Sequence, residues 1–242
     1  MSIPKKSVVS NKFVVKCLDL NDKDIILDAG CGIGGTGLFI GKRYNAKIIG
    51  ITLSKRQLIR VRKKANIIGL NNITFSQQDY TKTDFKDKSF TKIYGIESIC
   101  YTKNSLDFLI EAYRLLKNNG ILVISDGFLV RENLNKKENQ VLKSCLVGWD
   151  LPNLSTKKKF FKDLKKAGFK NIKYYDNFKS IRKTRNRIYR LGLFGYLLTL
   201  LMYLFRLVPK CIHDNTIMCL NQKRLFSDKD NIATYGVFIA KK

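Results

Sequence analysis

Between residues 25 and 126 the chain alternates two hydrophobic periods, and few folds accept that alternation. The runs "IILDA" (25–29), "KIIGIT" (47–52), "ITFSQ" (73–77), "KIYGI" (92–96) and "ILVIS" (121–125) are β-branched, of strand length and bounded by turn residues. Between them, "SKRQLIRVRKKANIIG" and "SLDFLIEAYRLLKNNG" repeat apolar residues at helical spacing. Each finishes at a glycine suited to a helix C-cap, Gly69 and Gly120. Such alternation predicts an α/β domain whose parallel sheet is covered on both faces. After residue 127 the pattern loosens. A helix and loop are expected over "RENLNKKENQVLKSCLVGWDLPNL", and a capped basic helix over "STKKKFFKDLKKAGF". Two further strands are expected at "KNIKYYDNF" and "ATYGVFIAKK". About fifty residues separate those two strands, far more than an ordinary connection.

The join after the first strand, "ILDAGCGIGGTG" (26–37), holds five glycines. Glycine costs about 0.5–1 kcal/mol relative to alanine inside regular structure. So dense a cluster implies a sharp turn or the close approach of a ligand. A strand that ends in a glycine-rich turn opening a helix is a nucleotide-binding layout. The dinucleotide pattern fits Gly30, Gly32 and Gly35, so NAD has to be weighed. The phosphate-loop pattern fails, because no Gly-Lys-Ser/Thr follows. Asp28, two residues before the first glycine, suits a cationic ligand better than a pyrophosphate.

The net charge is +27, and residues 155–190 hold fourteen Lys or Arg against Asp163 and Asp176. That excess fits nucleic acid or an anionic membrane, and a compositional bias that decorates a solvated surface accounts for it as well as those two together. Six cysteines (17, 31, 100, 145, 211 and 219) lie far apart and His213 is the one histidine, so no metal site is expected. The first sixteen residues lack a signal-peptide core. Reduced thiols in the cytoplasm are the expectation.

"ILDAGCGIGGTG" resembles motif I of the class I S-adenosylmethionine-dependent methyltransferases. The later landmarks follow in family order: "IIGITLSKRQ", "QQDYTKTDF", "IYGIESICY" and "LLKNNGILVISD". The likeness is closest to the sterol, tocopherol and cyclopropane-fatty-acid branch, where "GITLS" also follows the second strand. It implies a Rossmann-like fold with a mostly parallel seven-stranded sheet and a helical cap inserted before the last strand. A single domain is expected, with a cofactor core over 12–127 and an acceptor-side lid and cap over 128–154 and 179–230. The implied cofactor is S-adenosylmethionine. Asp28 would hold its ammonium through backbone or water contacts, with Gly30, Cys31, Gly32 and Gly34 forming the loop. Thr52 and Gln57 would serve the ribose, Asp79 the adenine amino group, and Tyr80 the ring face.

On the acceptor side, "YGIESICY" is similar to the sterol methyltransferase segment at Glu97 and Cys100, but Tyr101 stands where that segment has histidine. Base chemistry then falls to Glu97, Tyr101 or Asp126, with Glu97 and Tyr101 the expected catalytic pair. The glutamate that cyclopropane synthases carry at the position of Cys100 is missing, which argues against cyclopropanation. Tyr80, Tyr94 and Tyr101 are candidates for cation–π stabilisation, and Trp149 for closing a lid. The run "LGLFGYLLTLLMYLF" (191–205) has no charge and is shorter than the ~20 residues of a membrane span. It reads as a buried cap helix, or as an interfacial helix flanked by Arg182, Lys183, Arg185, Arg187, Arg190, Arg206 and Lys210. The expected partners are a lipophilic small-molecule acceptor and the inner face of a membrane, touched through 182–210. Nucleic acid is disfavoured, since no Pro-Pro-aromatic or Pro-Cys motif follows the fourth strand. A nucleic-acid methyltransferase and a non-catalytic, membrane-associated cofactor-fold protein stay as alternatives.

Overall fold

The computed structural model describes residues 5–227 and 229–242, with side chains from residue 12 onward. In chain order the elements of the first half are α1 (Lys5–Leu18), β1 (Ile25–Ala29), α2 (Gly35–Gly41), β2 (Lys47–Thr52), α3 (Lys55–Ile68), β3 (Ile73–Gln77), β4 (Phe90–Ile96) and α4 (Ser105–Leu115). Those of the second are β5 (Leu116–Leu129), α5 (Lys136–Trp149), α6 (Lys157–Lys166), β6 (Lys170–Asp176), α7 (Phe178–Leu204), α8 (Lys210–Leu225) and β7 (Ala233–Lys241). The seven strands form one sheet in the order β3-β2-β1-β4-β5-β7-β6. β1 runs parallel to both β2 and β4, with Asp28 beside Gly50 on one side and Tyr94 on the other. β2 is parallel to β3, and β4 to β5. The strand order reverses at β1, which opens a crevice at the carboxyl ends of β1 and β4.

The expected strands all form, and the helical caps explain several boundaries. Ser54 accepts the Gln57 amide at the start of α3, and Gly69 ends that helix in the left-handed region. Gly120 does something else. α4 stops at Leu115, and Leu116 is already extended, so the chain passes from helix to strand without a loop. Asn119 takes φ +62°. The register of β5 against β4 slips between Phe90 and Lys92, which is where residues 117–120 are accommodated. Gly120 therefore sits in a strand irregularity, where an added Cβ would lie 2.8 Å from the Lys117 carbonyl oxygen.

Two compact units partition the chain. The first comprises residues 1–126, 160–175 and 237–242. Its core packs Leu38, Phe39 and Ile40 of α2 with Ile26, Ile48 and Ile73 of the sheet and with Val14 and Leu18 of α1. The loop after β3 is held by Glu111, whose carboxylate accepts the Thr83 amide (2.8 Å) and hydroxyl (2.7 Å) and pairs with Arg114. The second unit comprises residues 127–159 and 176–236. Here α5, α7 and α8 pack together: Gly148 of α5 lies against Met218 of α8, and the Asn221 side chain donates to the Ser144 hydroxyl (2.9 Å). Trp149, the candidate lid residue, ends α5 with its ring 6.1 Å from that of Phe226.

Helix α7 packs in an unusual sense. The seam it turns to α8 is narrow and small: Gly192 against Cys219 and Leu220, Gly195 near Thr216, and Thr199 beside His213. Its large apolar side chains point the other way. Leu191, Leu193, Leu197, Leu198 and Leu204 are exposed, and Phe194 is 86% exposed. Among the described residues, no helix is long and apolar enough to cross a membrane. Arg185 departs from the flanking cations with which it was grouped: it is buried, and its guanidinium donates to the Phe226 carbonyl.

Candidate functional site

The crevice at the carboxyl ends of β1, β2 and β4 is built first from backbone. The Gly30 and Cys31 amides both donate to the Ile51 carbonyl of β2 (3.0 and 2.8 Å), which folds the loop back over the sheet edge. Three loop glycines take positive φ, Gly30 (+80°), Gly32 (+54°) and Gly34 (+78°), and they differ in what surrounds them. A Cβ at Gly30 would lie 2.5 Å from Ser98 Cβ, and one at Gly34 would lie 2.2 Å from Val61 Cγ2. A Cβ at Gly32 would meet nothing within 4 Å. Gly30 and Gly34 are thus required by the protein's own packing, while Gly32 presents bare backbone to open space.

Asp28 is buried at the end of β1, and its carboxylate is turned toward the Gly37 amide of α2. The Tyr94 hydroxyl faces it without closing a good hydrogen bond. Burial pushes the Asp28 carboxyl up to about 7, against the weaker opposing effects of the Tyr94 hydroxyl and the Gly37 amide. Asp28 therefore fastens the loop to the helix beneath it, and any hold on a ligand runs through the loop backbone. Cys31 is buried beside it, and burial together with the Asp28 charge raises its thiol well above the ordinary range. It is no nucleophile.

The residues expected around a nucleoside lie in two places, after β2 and after β3. At the end of β2 the Thr52 hydroxyl donates to Gln57 Oε1 (2.8 Å) and accepts the Ser54 amide (3.2 Å), so Thr52 and Gln57 form one polar corner. After β3, Asp79 Oδ1 accepts the amide and hydroxyl of Thr81 (2.8 and 2.7 Å). Its Oδ2 takes no bond among the described residues, and the residue is exposed. The Tyr80 hydroxyl donates to the Ser98 carbonyl (2.8 Å), and its ring stands edge-on to Phe108 at 5.4 Å.

Ser98 is the residue the sequence did not announce. Its hydroxyl donates to the Ala29 carbonyl (2.7 Å) from a buried position, tying the turn after β4 to the end of β1. That bond spans 69 residues, and an isolated serine gives no local signal of it. The same turn holds Glu97 at φ +49°, exposed, with its amide bonded to the Ser125 carbonyl (2.9 Å). A left-handed glutamate costs on the order of 1 kcal/mol or more, and such strain clusters at functional sites. Tyr101 ends the turn half-exposed. The Cys100 amide donates to the buried carboxylate of Asp126 (3.0 Å). Burial, then the Asp126 charge, raises the Cys100 thiol far above its usual range.

Comparison with known proteins agrees with this geometry. Residues 26–120 match the family model described as a methyltransferase domain. The chain is 25% identical over 149 residues to a sterol 24-C-methyltransferase of Eremothecium gossypii, covering 60% of this chain and 40% of that protein. It is 28% identical over 186 residues to 24-methylenesterol C-methyltransferase 2 of Arabidopsis thaliana, covering 72% and 51%. To a 2-methyl-6-phytyl-1,4-hydroquinone methyltransferase of Synechocystis it is 30% identical over 148 residues, covering 59% and 45%. The chain thus spans about half or less of the length of these relatives. Among solved structures, geranyl diphosphate C-methyltransferase from Streptomyces coelicolor superposes with a TM-score of 0.75 at 17% identity, over 97% of this chain and 79% of that one. The cyclase SpnF superposes at 0.78 with 20% identity, over 97% and 80%. These two likenesses establish the fold, and the cyclase shows that the fold by itself does not fix the reaction. Residues 26–120 therefore form a methyltransferase domain, set in a chain whose fold is that of the Rossmann-like methyltransferases.

Proposed function

We propose that this protein transfers a methyl group from S-adenosylmethionine to a lipophilic small molecule. The cradle carries the reading: bare backbone at Gly32, the Thr52–Gln57 corner and the free Oδ2 of Asp79 line one sheet edge. These groups fit the three parts of that cofactor. The loop backbone takes the methionine end, Thr52 and Gln57 the ribose hydroxyls, and Asp79 with Tyr80 the adenine. When bound, the cofactor supplies an electrophilic methyl on a sulfonium. What the chain must add is alignment and exclusion of water, with a base at Glu97 or Tyr101 where the acceptor loses a proton. The named activities of the sterol and hydroquinone relatives support a lipophilic acceptor.

Two measurements test this. In calorimetry with S-adenosylhomocysteine, Asp79→Ala should lose about 1.5–3 kcal/mol of binding, the worth of a charged hydrogen bond. Wild-type affinity in that variant would remove Asp79 from the site. With radiolabelled cofactor and a lipid extract, label should enter the organic phase. Glu97→Gln should then lower kcat more than cofactor affinity. Label in nucleic acid, or in no acceptor, would overturn the acceptor class.

The reading extends to the membrane. Residues 177–213 contain eight Lys or Arg and no acid, and the outer face of α7 is apolar and exposed. A helix of that kind lies in the interface of an anionic bilayer rather than across it. Each cation near such a surface contributes on the order of 1 kcal/mol. The protein should therefore sediment with anionic vesicles at low salt and release as salt rises, and it should leave neutral vesicles in the supernatant. Failure to sediment with anionic vesicles would leave α7 without a membrane role.

A further inference from the structure

The second unit contains a cavity of about 600 Å³ whose walls use none of the residues of the cofactor cradle. Arg185 and Tyr189 of α7, Lys223 and Arg224 of α8, and Lys229 and Asp230 of the following turn line it. Among the described residues, four cations thus face one concave volume against a single carboxylate. Among the described residues, none of the four forms an ion pair with a protein acid. Like charges so placed repel one another, an arrangement that costs stability unless an anion neutralises it.

Arg185 is the telling member. It is more than nine-tenths buried, with one guanidinium nitrogen bonded to the Phe226 carbonyl and the Phe178 ring 5.7 Å away. Its Nε–H has no partner among the described residues. A buried guanidinium donor without an acceptor is expensive, and native structures seldom keep one without a reason. The group is held in place by Phe226 with a free donor left over, the preorganisation that arginine brings to planar oxyanions. Lys223 stands 4.0 Å over the Tyr189 ring, which fixes a second cation at the same wall. One carboxylate ligand would leave most of this charge uncompensated. A phosphate carries nearly two charges and three acceptor oxygens.

We propose that this cavity binds a phosphate-bearing group. Both a free diphosphate and the headgroup of an anionic lipid offer that chemistry. The proposal does not rest on the methyl-transfer reading, and its test uses no turnover.

The variant pair is Lys223→Gln with Arg224→Gln, both at exposed helix positions. Lys158→Gln with Lys162→Gln on α6 removes the same charge elsewhere, and unchanged melting temperatures verify folding in both. Inorganic pyrophosphate is titrated by calorimetry at fixed ionic strength. In parallel, flotation compares vesicles containing phosphatidic acid with phosphatidylserine vesicles of matched surface charge. Saturable pyrophosphate binding, weakened about tenfold or more by the first pair alone, supports the site and identifies a soluble ligand. Selective loss on phosphatidic acid vesicles, with no pyrophosphate binding, supports the site and identifies a headgroup. Equal weakening by both pairs would mean attraction by net charge alone, and absence of binding to either probe would mean no site. Either result overturns the proposal.

Discussion

Replacing Gly34 by alanine should cost about 3 kcal/mol of folding stability, and replacing Gly32 only about 1 kcal/mol. The two lie two residues apart in one loop and share a left-handed backbone, so the backbone penalty is common to both. They differ in what the new methyl group meets. At position 34 it would be driven to 2.2 Å from Val61 Cγ2, a fully buried side chain of α3, whereas at position 32 it enters open space. Ligand affinity should show the opposite ranking among folded proteins: with the cofactor seated over the loop as proposed, Gly32→Ala puts a methyl in its path and should weaken S-adenosylhomocysteine binding at least tenfold. Urea melts give the first quantity and calorimetry the second. Equal stability losses in both variants would refute the division of the loop into a packed side and a ligand side.

The second large effect is a dependence of stability on pH set by Asp28. Its carboxyl titrates near 7 in the fold, against the usual 3.8. Between those values the folded state holds a proton that the unfolded chain has released. Stability therefore falls as pH rises from about 4 to about 7, and levels off above. The full drop attributable to this group is on the order of 4 kcal/mol as an upper figure. Asp28→Asn should remove that slope and make the ligand-free protein more stable than wild type above about pH 7. Chemical denaturation across the pH series reads it directly. A wild-type profile flat over this range would show that the buried carboxylate is compensated in the native state.

Much of this molecule was legible because its information is local. Seven strands and the helices between them follow from hydrophobic period, and α3 was bounded by a serine cap and a glycine that each act within four residues. The failures share one cause. Gly120 carries a helix-stop signal, but the same residue serves a strand irregularity, and only the pairing of β5 with β4 decides between the two uses. β5 itself extends back to Leu116 through "LKNNG", a stretch with no strand propensity that is held there by its neighbour. Arg185 looked like one surface cation among seven, and its burial depends on Phe226, forty-one residues away. The motif singles out the glycine loop as a candidate and gives it a place in the chain. The direction in which Asp28 points, and the tie made by Ser98, exist only once β1, α2 and β4 are side by side.

That tie has a thermodynamic consequence. Ser98 offers its carbonyl to Tyr80, proposed above for the nucleoside, and its hydroxyl to Ala29 at the glycine loop, while its neighbour Glu97 lies in the turn proposed for the acceptor. The two halves of the proposed site are thus joined through Ser98. Whatever occupancy at Tyr80 does to the affinity of Glu97's surroundings for an acceptor, the acceptor must do in equal measure to the affinity for cofactor. Ser98→Ala, which leaves the Tyr80 bond to the backbone but cuts the joint to Ala29, should shrink the coupling in both directions alike while sparing either ligand's binding to the otherwise empty protein.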